Sequence, residues 1–440
     1  MFDVNIKILS ELKNFIKLVA EDKALLKRFC VADTNFTRTR KLPFEKLVVL
    51  IAKLSKKTLS IELEKFFEQA GSSPQCSVSA FTQQRSKLSP LLFYYWNKVL
   101  QQSYYHYGES EVRRWNGYRL IAADGSSLTL VNTPALSRYF GGQGNQQTQF
   151  VVAKTFYHYD VLNELVILSD IKPYRYGELN MAYDSVDQLQ QDMLTIYDRN
   201  FSNYKTIALH EWQETPRKFI IRARENQNII KAFIKSGKES AIVDIPPTSL
   251  AITGLKNSGY RIAKNTHLTV RLVRVDLDKS VEVLITNLWE EEMYPSTVFK
   301  DLYFMRWGIE TQISVQKNIM QVESFSGLTA NAVVQDFYAT VLMANLHSLL
   351  IKDAQRTIDV TLKHRKYPMK VNKNKSFGKL KMSIVMLFLN NKPLSILKTL
   401  HEHFLKDPIP IRKGRSFERV RKNRHTYSKF KTFTNFKPAF

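Results

Sequence analysis

The sequence has few cysteines and no long apolar run, and each absence narrows the class of protein. Cys30 and Cys76 are the only cysteines among 440 residues, so neither a disulfide-stapled scaffold nor a cysteine-rich zinc site is available. No apolar stretch approaches the roughly 18 residues that span a bilayer, so we expect no membrane partner. The first residues, MFDVNIKILSELKNFIK, lack the apolar core and cleavage site of a signal peptide, and we therefore expect a reducing cytoplasm.

Two common catalytic signatures are also missing. No Gly-x-Ser-x-Gly elbow occurs, so nothing favours the hydrolases built on that turn. The glycine-rich stretch FGGQGNQQT, with Gly141, Gly142 and Gly144, lacks the Lys-Ser/Thr ending of a phosphate-binding loop. It also does not lie between a predicted strand and a predicted helix. We therefore predict a plain loop there.

The sequence has far fewer acidic residues than basic residues. The chain has 40 Asp and Glu against 65 Lys and Arg, which gives a formal charge of +25 and a pI near 9.8. A surface this basic repels itself unless its partner is a polyanion. Nucleic acid is therefore the expected partner, and a basic protein without that role is the alternative. The hydrophobic content of 44% indicates a globular protein, and the length predicts several domains.

Changes in residue pattern predict five segments. Residues 1–105 read as helices, 106–225 as strands and helices of an α/β domain, 226–290 as strands, 291–350 as helices, and 351–440 as a basic region. Within them, YRIAK (260–264) is one of the predicted strands, and the apolar stretch 326–351 is predicted as a pair of helices. We find no internal repeat.

Two segments have the composition of DNA-binding elements. The stretch SVSAFTQQRSKL (77–88) follows a short helix and a turn, and carries Gln83, Gln84, Arg85 and Lys87. This order favours a helix-turn-helix-like reader of duplex DNA, with a plain packing bundle as the alternative. The tail, 411–440, interleaves cations with aromatic rings, which suits phosphates and exposed bases, whereas a solvated tail is the alternative.

The stretch DLYFMRWGIETQISVQKNIM (301–320) carries four chemically active side chains. Tyr303, Arg306, Glu310 and Lys317 follow one another at offsets of three, four and seven. On a single helix they share an arc of about 60°, beside an apolar stripe that would seat the helix on a core. A surface helix with ordinary charge pairs is the alternative.

Two further acids follow predicted strands. Asp124 follows an apolar strand, and Asp198 ends another. Strand ends border the crevice of an α/β sheet, and a downstream helix with Glu310 can pack across it. Carboxylates without nearby Cys and with little His prefer hard cations such as Mg²⁺ or Mn²⁺. Two such ions about 4 Å apart can support an in-line phosphoryl displacement.

These residues resemble those of a known family. The helix fits Tyr-x2-Arg-x3-Glu-x6-Lys without a gap, and ADGSSL around Asp124 and YDRNF around Asp198 precede it in the right order. This pattern is similar to the DDE transposases of bacterial insertion sequences, in the group with a Y-R-E-K helix. The flanking LITNLWEEEMYPSTVFKDLYFMRWGIE, IIRAREN and AFTQQRSKL are also similar, so the resemblance covers most of residues 40–350.

The resemblance implies a fold and a domain order. The fold is α/β, a ribonuclease-H-like mixed-sheet catalytic core formed by 106–225 and 291–350 and interrupted by an inserted β subdomain, 226–290. Outside the resemblance, residue pattern and charge predict an N-terminal helical domain, 1–105, that would bind DNA, and a basic C-terminal helical region, 351–440.

The resemblance also implies roles for the site residues. Asp124, Asp198 and Glu310 would be catalytic and hold two Mg²⁺ or Mn²⁺ ions in each active site, and Tyr303, Arg306 and Lys317 would contact DNA phosphates. Each transposon end would be nicked, and the freed 3′ hydroxyl would attack target DNA. The implied partners are double-stranded DNA, as ends and target, and a second copy in a homodimeric synaptic complex at the bacterial nucleoid.

Two other readings stay open. A catalytically inactive DNA-binding or regulatory protein would keep the basic surface, and a nuclease without strand transfer would share the same acids. Glu178, in YGELNMAY, is a candidate accessory carboxylate.

Overall fold

The structure is a computed structural model that describes most of the chain. The described residues are 2–38, 41–53, 57–71, 76–145, 148–278, 280–390 and 392–412. Most of the basic tail, 411–440, lies outside the described residues, so its predicted contact with DNA stays a prediction.

Six helices occupy the first quarter of the chain. They are α1 (Asp3–Glu21), α2 (Lys23–Arg28), α3 (Phe44–Ala52), α4 (Leu59–Gln69), α5 (Val78–Arg85) and α6 (Leu91–Tyr107). Apolar side chains recur at helical spacing, and α1 buries Ile8, Leu12, Ile16 and Val19 along one face. The predicted helical region is therefore present.

The α5 helix corrects one expectation about DNA reading. Gln84 and Arg85 are buried rather than exposed. The guanidinium of Arg85 donates to Gln335 Oε1 at 2.6 Å, to the Ala332 carbonyl at 2.8 Å and to Asp336 Oδ1 at 2.8 Å. The interpretation of Arg85 as a DNA-facing residue is wrong, because its charge is satisfied inside the protein.

A large mixed sheet lies at the centre of the chain. Its elements are β1 (Arg119–Thr129), α7 (Pro134–Phe140), β2 (Gly142–Asn145), β3 (Thr148–Asp160), β4 (Leu165–Pro173), α8 (Glu178–Tyr183), β5 (Met193–Tyr197), α9 (Tyr204–Glu211) and β6 (Lys218–Arg222). β3 pairs antiparallel with β1 and β4, whereas β5 pairs parallel with β1 and β6. Three antiparallel strands followed by two parallel strands form a ribonuclease-H-like sheet, so the predicted fold class is confirmed.

The glycine-rich stretch is not entirely a loop. Gly142–Asn145 forms β2 and pairs antiparallel with β3. A Cβ on Gly142 would lie 2.0 Å from the Phe150 carbonyl oxygen, so the missing side chain permits this close pairing.

The predicted strand block, 226–290, contains helices as well as strands. It holds α10 (Asn228–Ser236), β7 (Ser240–Ile245), α11 (Ser249–Lys256), β8 (Leu268–Leu277) and β9 (Ser280–Thr286). β9 pairs antiparallel with β6, so the inserted strands extend the central sheet. The strand predicted at 260–264 is wrong: Gly259 turns the chain with φ +86°, and the Thr266 amide closes another turn on the Ala263 carbonyl.

The remaining helices cover the sheet and meet the N-terminal helices. They are α12 (Phe299–Met305), α13 (Trp307–Ser314), α14 (Ala330–Thr361), α15 (Lys373–Leu389) and α16 (Pro393–Leu405), with the ribbon strands β10 (Met369–Lys370) and β11 (Ile409–Pro410). α14 is one helix of 32 residues where two were predicted, because no Gly or Pro interrupts it. It packs on α6, β4 and α16, so both ends of the chain share one core. The domain boundaries stay a prediction.

Candidate active site

The strand register makes Asp124 and Asp198 neighbours. Ala123 of β1 pairs in parallel with Tyr197, the last residue of β5. Asp198 continues in extended conformation, with φ −78° and ψ 177°. The next residues on each strand, Asp124 and Asp198, therefore lie side by side, at the spacing of about 4.8 Å between neighbouring strands. The first two acids of the predicted trio are thus neighbours on two central strands, where β5 ends.

Glu310 is brought to β1 by the packing of α13. A Cβ on Gly308 would lie 3.3 Å from Val161 Cγ1, so the glycine lets the helix approach the strands closely. The single helix predicted over 301–320 is divided into α12, α13 and a π-helical turn, Val315–Ile319. The division falls at Arg306, whose amide bonds to the Tyr303 carbonyl three residues back.

Arg306 connects two of the three acids. Its Nη2 donates to Glu310 Oε1 at 2.8 Å, and its Nη1 donates to Asp124 Oδ2 at 3.5 Å. The guanidinium also lies over the rings of Tyr303 and Trp307, at 5.8 Å and 5.3 Å. The side chain is only 7% exposed, and its Nε is buried without a hydrogen-bond partner among the described residues.

The electrostatics of Asp124 reflect this crowding. Burial raises the pKa of Asp124 to about 6, and the negative charges of Asp198 and Glu310 push in the same direction. The Arg306 guanidinium opposes the rise. Asp124 is therefore a carboxylate whose charged form needs a nearby cation.

The other two residues of the Y-R-E-K pattern take different positions. Tyr303 is buried, and burial raises the pKa of its phenol. Lys317 Nζ donates to the Ser127 carbonyl at 2.7 Å, three residues beyond Asp124 on β1. Tyr303 and Arg306 thus lie with the acids, and Lys317 anchors the π-helical turn to the same strand.

Sequence reasoning missed Arg222 and Glu282. Ile221 of β6 pairs with Tyr197. Arg222, the next residue of β6, therefore lies beside Asp198, in the same row across the strands as Asp124 and Asp198. Arg222 Nη2 forms an ion pair with Glu282 Oε1 on β9 at 2.9 Å. The sequence did contain a signal for Arg222. It directly follows the apolar run FII, just as Asp198 follows the apolar residues of β5.

Glu178 lies on the other side of β1. Its Oε1 accepts a hydrogen bond from Lys154 Nζ at 3.0 Å, and a Cβ on Gly125 would lie 2.5 Å from its Cγ. Successive side chains on a strand face opposite ways, so Gly125 and Asp124 face opposite sides of the sheet. This placement argues against the accessory-carboxylate interpretation.

The donor set fits a divalent cation, but not in the observed arrangement of side chains. Among the described residues, no three His, Cys, Asp or Glu side chains lie close enough to hold one metal ion. Asp124, Asp198 and Glu310 nevertheless supply the oxygen ligands that Mg²⁺ and Mn²⁺ prefer. The Arg306 guanidinium, which bridges Asp124 and Glu310, supplies positive charge to two of the acids that would hold the metal. The residues therefore fit the metal provided that Arg306 moves.

A family match accompanies this geometry. Residues 115–346, just over half of the chain, match the family model described as Transposase DDE domain. The matched range runs from the start of the sheet, through both aspartates and the Glu310 helix, into α14. The chain therefore belongs to this family of DDE transposases.

Comparisons with individual proteins add little to the family match. The chain is similar to a chain of the piggyBac transposase synaptic complex with hairpin DNA, a cryo-EM structure. The identity is 13% and the TM-score 0.43, over 95% of this chain and 88% of that one. No curated protein matches the sequence. Across the described ranges, no helix has both the length and the apolar character that a bilayer crossing requires.

Proposed function

We propose that this DDE transposase belongs to the insertion-sequence group with a Y-R-E-K helix, cuts DNA at the element's ends and joins the freed 3′ hydroxyl to target DNA. The observation that supports the proposal is a pair of links between three acids that lie far apart in the sequence. β1 brings Asp124 beside Asp198, and Arg306 ties Asp124 to Glu310. A carboxylate within β1, one directly after β5 and one on the covering helix supply the oxygen ligands that metal-assisted phosphoryl transfer needs.

Each residue of the site has a proposed role. Asp124, Asp198 and Glu310 would hold two Mg²⁺ or Mn²⁺ ions, which when bound activate the attacking oxygen and stabilise the leaving oxygen. Arg306 and Arg222 would bind the phosphates that flank the cut, because a guanidinium matches phosphate geometry with two parallel hydrogen bonds. The Tyr303 hydroxyl would donate to a phosphate oxygen. Lys317 would hold the π-helical turn on β1, and its charge would neutralise phosphates of the bound DNA.

The proposed partners follow from charge and chemistry. A net charge of +25 suits double-stranded DNA, both as transposon ends and as target. Cutting and joining two ends together requires two active sites, so we propose a homodimer in the synaptic complex. The bacterial cytoplasm, at the nucleoid, is the proposed location.

Cleavage of the element's own ends tests the proposal. The substrate is duplex DNA taken from both sides of the reading frame in the source genome, incubated with the full chain, Mg²⁺ and a target plasmid. Wild type should nick the ends and join them to the plasmid. Asp124→Ala, Asp198→Ala and Glu310→Ala should each lower cleavage by about a hundredfold or more, because each removes a proposed metal ligand.

Two other outcomes would assign a different function. Specific binding of the ends without cleavage, in either Mg²⁺ or Mn²⁺, would indicate a regulatory DNA-binding protein. Cleavage without joined product would indicate a nuclease. Equal cleavage by wild type and Asp124→Ala would overturn the assignment of the active site.

A further inference from the structure

Arg306 is the counter-ion of two of the acids that would hold the metal. Its two terminal nitrogens contact Glu310 Oε1 at 2.8 Å and Asp124 Oδ2 at 3.5 Å. A Mg²⁺ ion held by these acids would need their oxygens as ligands, and the Arg306 guanidinium engages one oxygen of each in the observed structure. An arginine does not lose its charge at any physiological pH, so it must move rather than deprotonate.

Two aromatic rings lie beside the Arg306 guanidinium, which has one donor unsatisfied among the described residues. The guanidinium lies 5.8 Å and 5.3 Å from the ring centres of Tyr303 and Trp307, and Trp307 is 46% exposed. A planar cation can slide along aromatic faces while keeping its attraction to them. The buried Nε lacks a hydrogen-bond partner within the described part of the chain, so the observed position leaves one donor unsatisfied.

We propose that Arg306 couples metal binding to DNA binding. In one position its guanidinium is the counter-ion of Asp124 and Glu310 and keeps divalent ions out. In the other it binds a phosphate of the transposon end and releases both acids to the metal. The inference rests on the proposed function of the site and adds an order to its assembly, in which DNA binding promotes metal binding.

The coupling is reciprocal by thermodynamic necessity. If a bound DNA end raises the affinity for the metal by some factor, the metal raises the affinity for that end by the same factor. Metal would therefore bind the acids more tightly where a DNA phosphate is present to be cut. Arg306 acts in this scheme through the acids, so it is a positioning residue as well as a phosphate ligand.

Binding of Mn²⁺ alone, followed by electron paramagnetic resonance, tests the coupling without a measurement of activity. The proteins are the full-length wild type, Arg306→Gln, which removes the charge, and Arg306→Lys, which keeps it. Without DNA, Arg306→Gln should bind Mn²⁺ about tenfold more tightly than wild type, and Arg306→Lys should bind it like wild type. An end duplex should strengthen Mn²⁺ binding by wild type and leave that of Arg306→Gln nearly unchanged.

Asp198→Asn serves as the reference for the site. Its Mn²⁺ binding, measured with and without DNA, defines the ions held by DNA phosphates or by other surfaces. If Asp198→Asn binds Mn²⁺ as well as wild type in every condition, the acids are not a metal site and the proposed function fails. If Asp198→Asn removes the binding but Arg306→Gln binds no tighter than wild type, only the coupling is overturned.

A wild-type measurement covers the case in which Arg306→Gln does not fold. Wild-type affinity for Mn²⁺ above the Asp198→Asn reference must rise when the end duplex is added. An unchanged affinity overturns the coupling without any Arg306 variant.

Discussion

Arg85 and Arg306 are both buried, but they differ in how completely their guanidinium groups are hydrogen-bonded. Arg85 donates to Gln335, Ala332 and Asp336 and joins α5 to α14. Arg306 contacts two acids at the edge of the sheet and keeps one donor unsatisfied among the described residues. A fully bonded arginine stabilises the fold, whereas a partly bonded one can exchange partners.

Replacing Arg85 should destabilise the whole protein. Arg85→Met leaves the partly buried Asp336 carboxylate without its cation, and breaking a buried pair in this way costs about 3–5 kcal/mol. Denaturant unfolding measures the loss. The exposed Arg138, changed to Met, is the matched control and should lower the unfolding free energy by less than about 0.5 kcal/mol. Equal stabilities for the two variants would contradict the structural role.

Gly125 should be coupled to Glu178. A Cβ at position 125 would lie 2.5 Å from Glu178 Cγ, so Gly125→Ala should cost about 1–3 kcal/mol through overpacking. Glu178→Ala removes the clashing atoms and should recover most of that loss in the double variant. Unfolding of the four proteins measures the coupling free energy, and an additive result would show that the two residues do not interact.

Gly378 provides the control for the Gly125 substitution. It lies within α15, has a negative φ, and a Cβ added there would meet nothing within 4 Å. Gly378→Ala should therefore leave the unfolding free energy unchanged or raise it, because alanine favours the helix.

The site residues could be predicted from the sequence only in part. Local pattern singled out Asp124, Asp198 and Glu310, but the expectation that Asp124 follows a strand was wrong, because β1 continues to Thr129. Arg222 was missed, because its place beside Asp198 depends on which strands pair, and strand pairing is a long-range property. Helical spacing placed Arg306 beside Glu310, but the contact of Arg306 with Asp124 was missed, because spacing along a helix does not show which strand the helix packs on.

At the level of elements, the ribbon of β10 and β11 presents a fixed basic surface. Lys366 Nζ and the Arg412 guanidinium flank the Tyr367 ring at 5.6 Å and 6.0 Å, and the Ile411 amide bonds to the Pro368 carbonyl at 2.7 Å. We call Lys363, Arg365, Lys366, Lys370 and Arg412 the basic ribbon; all five are exposed. The cationic tail continues from it in the sequence.

The basic ribbon should contact the DNA backbone. Changing Lys363, Arg365 and Lys366 to Glu should weaken binding of duplex DNA and reduce the slope of log affinity against log salt by about 1–3, because each lost phosphate contact removes about 0.9. Fluorescence anisotropy over a salt series measures both. The same change at the exposed Lys231, Lys235 and Lys238 is the matched control. Equal losses in both triple variants would indicate a non-specific effect of net charge.

Local pattern predicted most elements, but not their ends or their interruptions. α14 was expected as two helices although its sequence contains no Gly or Pro, and 301–320 was expected as one helix although it breaks at Arg306. Helical spacing cannot distinguish a continuous helix from two that share a face. The helices α10 and α11 were missed because short amphipathic segments between strands fit either period.

For the whole molecule, buried histidines predict sensitivity to acid. Burial lowers the pKa of His158 to about 3, of His210 to about 4 and of His347 to about 3. Their pKa in the unfolded chain is about 6.5, so unfolding takes up protons between pH 6.5 and 4. This stabilising contribution is complete above pH 6.5 and is lost as the pH falls.

The expected loss is measurable. Each histidine contributes a slope of about 1.4 kcal/mol per pH unit, so the three together contribute about 4, reduced by the buried acids whose pKa values are raised. Urea unfolding at pH 7, 6 and 5 measures the dependence. His347→Gln should reduce the slope of the unfolding free energy by about 1.4 kcal/mol per pH unit, which corresponds to one proton. The exposed His364→Gln should not change the slope. A stability that stays constant over this range would contradict the burial of these rings.

The most direct measurement is a structure of the full chain with an end duplex and Mn²⁺. We predict a cation bound by oxygens of Asp124, Asp198 and Glu310, with the Arg306 guanidinium on a DNA phosphate. Mn²⁺ bound elsewhere, with the three carboxylates separated and Arg306 still between Asp124 and Glu310, would contradict the account.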